Sequence, residues 1–171
     1  MTTHTASCPG FIELAAALCR AAGIALPAIT QDAAGGFSLG LVIDGAAATV
    51  THHPASFPDH VFVVVIFGAV PASIEADVFR ELLQANLLML RPGSPSFGLD
   101  PRDGQIVLQA NCAMCETSGN ALLDGIRVAV GRAAEWRQAH RLVPAQREGA
   151  QATSNVRHMQ HAPHAPMTAF A

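Results

Sequence analysis

Cys112-Ala-Met-Cys115 is the spacing in this chain that most invites chemistry. A C-x-x-C pair holds structural zinc when a second pair follows at comparable spacing, and none does. Cys8 and Cys19 lie eleven positions apart, too far to make a knuckle. Thiol-redox chemistry is the alternative, because a thiolate just before a helix N-terminus is stabilised. The thioredoxin-like setting is a β-α-β unit with the motif inside the helix start, and that pattern is missing. A plain buried or half-buried cysteine pair fits the residues better. His158, His161 and His164 recur every three residues, and neutral imidazoles are common metal ligands. Their surroundings read as a solvated tail, and His52-His53 reads as an incidental loop pair. No G-x-S-x-G elbow presents a nucleophile, and Gly35-Gly36 and Gly93 belong to no phosphate-binding fingerprint. Asp100 and Asp103 flank a turn, where aspartate shapes hairpins. The residues predict no enzyme, no cofactor and no metal.

Composition narrows the classes further. Half of the 171 residues are hydrophobic, 13% are charged, and the formal net charge is −3. That suits one domain with a proper core. All ten basic residues are arginines, and they make no basic footprint for nucleic acid. No window reaches the length of a membrane span. The N-terminus lacks a basic n-region and Glu13 interrupts its apolar run, so no signal peptide is expected. LAAALC, ending at Cys19, is a poor lipoprotein site, given bulky Leu18 and no preceding positive charge. These features predict a cytoplasmic chain, in which structural disulfides are not expected.

The elements follow from periodicity. Ser7 is placed to cap a helix that tolerates Pro9 in its first turn and carries Phe11, Leu14, Ala15, Leu18 and Ala22 until Gly23. Ala25 to Gly35 reads as a loop. Phe37, Leu39, Leu41 and Ile43 share one face of a strand, Asp44-Gly45 is a two-residue hairpin signal, and Ala46 to Thr51 returns as an Ala-rich second strand. Val61 to Phe67 is unbroken apolar sequence, predicted as a central strand covered on both faces. Ser73 is placed to cap a helix ending near Arg91-Pro92-Gly93. Phe97 to Leu99 and Gln105 to Cys112 form a second hairpin. Thr117 or Ser118 caps a last helix through Leu122, Ile126, Val130, Ala133 and Trp136 to about Arg141. The order helix–three strands–helix–two strands–helix predicts an α+β fold, an antiparallel sheet packed by helices. Residues 1–143 form that domain, and the Pro-, His- and Gln-containing residues 144–171 read as a disordered tail.

The middle helix is apolar on two sides. Ile74, Val78, Leu82 and Met89 make one stripe, and Phe79, Leu83, Leu87 and Leu90 make another. A surface helix needs one such stripe, so the second predicts burial against something else, most simply another copy of the chain.

LLQANLLM at Leu82 to Met89, followed by FGLDPRDGQIVL at Phe97 to Leu108, resembles the CesT/Tir-type family of type III secretion chaperones. LGLVIDG at Leu39 to Gly45 and AAEWR at Ala133 to Arg137 extend the likeness, which covers roughly Phe11 to Arg141. The resemblance implies a small acidic cytoplasmic homodimer. Such a protein binds the N-terminal segment of a secreted effector, keeps it extended and presents it to the secretion apparatus, with the secretion ATPase as a further partner. It implies a dimer interface on the middle helix, assigned to Ile74, Val78, Leu82, Ala85, Asn86 and Met89. The first helix and strands would face the client, through Ile12, Ala16, Cys19, Leu39, Leu41, Val63 and Val65. An extended client can add its backbone to a free strand edge while alternate side chains enter pockets, so binding needs no catalytic group. Two other readings share these residues: a thiol-redox protein using Cys112 and Cys115, and a regulatory binding module of the same fold without a secretion role.

Overall fold

The computed structural model describes residues 10–91 and 93–142. Ser7, Pro9 and the predicted tail lie outside them. The elements are α1 (Phe11–Ala22), β1 (Thr30–Gln31), β2 (Phe37–Ile43), β3 (Ala46–His52), β4 (His60–Gly68), α2 (Glu75–Leu88), β5 (Ser96–Leu99), β6 (Ile106–Ala113) and α3 (Gly119–Ala139). All six strands join one antiparallel sheet in the order β1-β2-β3-β4-β6-β5. The α+β order predicted from the sequence is observed, with β1 added where a loop was expected.

Local chemistry sets the ends of the elements. The Gly10 amide donates to the Glu13 carboxylate at 3.3 Å, which opens α1. Gly23, at φ 68°, closes it, with its amide on the Arg20 carbonyl and the Ile24 amide on the Cys19 carbonyl, a Schellman closure. Asp44 and Gly45 both take positive φ, as a type I′ hairpin requires. Ser118 caps α3 by accepting from the Ala121 amide at 3.2 Å. Ser73 does not cap α2: the helix begins one residue after Ile74 without a side-chain cap.

α1 and α3 pack on one face of the sheet and against each other. They cover Leu39, Leu41, Ile43, Ala46, Ala48, Val50, Val61, Val63, Val65 and Phe67. The two helices cross closely at Gly119, where a Cβ would fall 2.6 Å from the Ala17 carbonyl oxygen and the Leu18 nitrogen. The Ala-rich β3 pairs with β2 over its whole length, its small Ala46 and Ala48 side chains lying in this core. α2 lies by itself beside β5. One expectation fails: β4 is fully covered on one face only, because Phe62, Val64 and Ile66 stay half-buried while their neighbours are buried.

Candidate functional site

On α2 the two stripes part company. Val78 and Leu82 are buried in the chain's own core, so the stripe assigned to a dimer interface mostly faces inward. Ile74 is exposed, and Ala85, Asn86 and Met89 are half-buried. The other stripe points out: Leu83, Leu87 and Leu90 are 69%, 72% and 80% exposed, joined by Leu88 at 83%. Asn86 serves β5. Its amide nitrogen donates to the Phe97 carbonyl at 2.9 Å and its oxygen accepts from the Phe97 amide at 2.7 Å. The side chain thus stands in for one residue of a neighbouring strand along the sheet's outer edge. Beside it, Phe79, Leu83, Phe97, Leu99 and Ile106 line an apolar cleft of about 180 Å³.

The residues assigned to the client fall on the covered side. Cys19, Leu39, Leu41, Val63 and Val65 are core, and burial pushes the Cys19 thiol pKa up. Only Ile12, 59% exposed, and half-buried Ala16 offer surface. The strands' other face is the open one. It carries Val42, Thr49, Thr51, Phe62, Val64, Ile66 and Val107, with Phe57 folded edge-on over Phe62 at 5.2 Å, and no charged side chain. Solvent-facing sheet surfaces normally alternate to polar residues, so this one is made to be covered. The alternation in sequence held this signal, hidden because β4 is apolar at every position.

The sheet also has free backbone. β1 pairs with β2 only at Phe37 and Ser38, so the β2 edge is open from Leu39 to Ile43. Ser38 turns its carbonyl toward β1, accepting from the Thr30 hydroxyl at 3.3 Å. The alternation of the ladder then turns the amides and carbonyls of Gly40 and Val42 outward as well.

The residues that invited chemistry are structural. Cys112 is a free thiol and Cys115 is disulfide-bonded, so the two are not joined to each other. The expectation of no structural disulfide is corrected at Cys115. His52 is buried between the rings of Phe11 and Phe37, its Nδ1 2.9 Å from the His60 carbonyl oxygen. Asp100 accepts from the Arg102 amide at 2.9 Å and from its guanidinium at 3.0 and 2.6 Å, which lowers its pKa to about 2. With Asp103, which accepts from Gln105, it shapes the β5–β6 turn. Among the described residues no group of three His, Cys, Asp or Glu is placed to hold a metal. His158, His161 and His164 lie outside them.

Residues 13–137 match the Tir chaperone protein (CesT) family. The chain belongs to that family. This CesT-family chain has the fold of two solved complexes. A chain of the ExsC–ExsE complex aligns at 19% identity and a TM-score of 0.56, covering 77% of this chain and 92% of that one. A chain of the HopA1–SchA chaperone–effector complex aligns at 17% identity and a TM-score of 0.54, covering 75% and 94%. A chain from the complex of the Yersinia pestis type III secretion chaperone SycH with a fragment of YscM2 aligns at 18% identity, covering 71% and 95%, with a TM-score of 0.49. No curated protein matches the sequence. Among the described residues, no helix of the CesT-family chain is long and apolar enough to cross a membrane.

Proposed function

We propose that this CesT-family chaperone acts in the cytoplasm as a homodimer. It binds the N-terminal segment of a type III secreted effector, holds that segment extended and delivers it to the secretion apparatus. Family membership over residues 13–137 carries the reading. The surfaces support it physically. Four outward leucines on α2, Leu83, Leu87, Leu88 and Leu90, form an apolar ridge that a second copy would cover. Full burial of such a side chain is worth about 1.5–3 kcal/mol, enough for several together to hold a dimer. The interface assigned to Val78 and Leu82 therefore moves to the outer stripe of the same helix.

Client binding moves in the same way, to the uncharged sheet face, Ile12 and the open edge of β2. A client strand laid along Gly40 and Val42 gains backbone hydrogen bonds, and its alternate side chains meet apolar surface. Such a site binds a segment and converts nothing. The effector encoded beside the chaperone gene supplies the test. Its N-terminal segment, co-expressed with the full chain, should co-purify as a complex containing two chaperone chains. An effector segment that elutes apart from the chaperone refutes the reading.

A further inference from the structure

A second strand edge lies on the far side of the sheet. β5 pairs with β6 only from Ser96↔Gln109 to Leu99↔Ile106. Pro95 precedes β5, and the turn in which the Ser94 amide meets the Arg91 carbonyl at 3.0 Å carries the chain away. Ala110 to Ala113 therefore keep β4 on one side and, among the described residues, no strand on the other. Phe97 shows which groups face that side. Its amide and carbonyl point away from β6 to Asn86, so Leu108 opposite it bonds toward β4, and the amides and carbonyls of Asn111 and Ala113 turn to the open edge.

A groove runs beside this edge on the sheet's helix-covered face. Leu108, Ala110 and Cys112 of β6 form its floor, and Ala121, Gly125 and Ala129 of α3 form its wall, enclosing about 240 Å³. No charged residue lines it. Gly125 sits mid-helix, where glycine weakens a helix relative to alanine. A Cβ there would meet nothing within 4 Å, so no contact within the described chain calls for a glycine. Gly131 is equally free of neighbours but lines no groove.

We propose that the Ala110–Ala113 edge and the groove beside α3 form a strand-acceptor seat for an extended segment of the client with uncharged, apolar inward side chains. The identity of the occupant rests on the chaperone reading above. Two features choose an extended polypeptide: backbone groups free along a strand edge, and an apolar trough on one side of it to take every second side chain. The uncharged lining chooses apolar residues at those positions, because a carboxylate or ammonium there would be desolvated without a partner.

The probe is a capped heptapeptide alternating threonine with leucine, titrated into the full chain by fluorescence anisotropy. Gly125→Leu fills the groove without a backbone clash and favours the helix, so its melting temperature should hold. Asn111→Pro, on the opposite wall, removes an outward N–H that makes no ladder bond to β4. Each variant should weaken probe binding roughly tenfold or more, the loss of one large buried side chain or of the edge contact. Unchanged affinity in both variants overturns the seat, as does equal binding of a probe with aspartate in place of leucine. Binding of the co-expressed effector segment, measured alongside, separates the two readings. Effector bound with the probe ignored overturns the seat alone. Probe taken with the effector ignored contradicts the chaperone reading and leaves the seat standing.

Discussion

Asp100 and Arg102 close the β5–β6 turn through one carboxylate, and its titration is a direct readout of that geometry. Because the folded pKa is lowered to about 2, the contact stabilises the fold above the ordinary carboxylate range near 4. That contribution is lost as pH falls through about 2. An NMR titration should place the Asp100 midpoint there, and Arg102→Gln should return it toward the ordinary value. Gly119 makes a sharper demand. Gly119→Ala drives a methyl into the α1 backbone and should cost about 2 kcal/mol or more, measured by denaturant unfolding followed on the single tryptophan, Trp136. Sequence legibility differed among such residues. Asp44-Gly45 and Ser118 announced their roles, because turn and cap chemistry is local. Asn86 stood out only as part of a family motif; its partner, Phe97, is eleven residues away and is paired by the docking of α2 on β5.

The elements were legible where one face is apolar and the other is not. β2 shows this: Leu39, Leu41 and Ile43 are buried and Gly40 and Val42 are not. The same logic fails on α2 and β4, where both faces are apolar, because hydrophobicity cannot say which face the rest of the chain will cover. Packing decides it. Leu82 turns into the core and Leu87 turns out, a difference that periodicity places on different stripes without ordering them. The two positions should therefore behave oppositely. Leu82→Glu buries an unpaired carboxylate and should destabilise the chain by about 4 kcal/mol or more, seen as lost cooperative unfolding. Leu87→Glu should leave the monomer's unfolding intact and shift light scattering from dimer to monomer. A dimer retained by Leu87→Glu would contradict the outer-stripe interface.

At the scale of the molecule, one chain leaves much apolar surface uncovered: a leucine ridge, an uncharged sheet face, and two strand edges with free backbone. A chain with these surfaces is a component of a larger assembly. The fold and family agree on what completes it, a second copy and an extended client. The most direct test is native mass spectrometry of the full chain co-expressed with the N-terminal segment of the effector encoded beside it. The account predicts one dominant species holding two 17.8 kDa chains and the bound segment. A lone 17.8 kDa chain, with the effector segment separate, would contradict it.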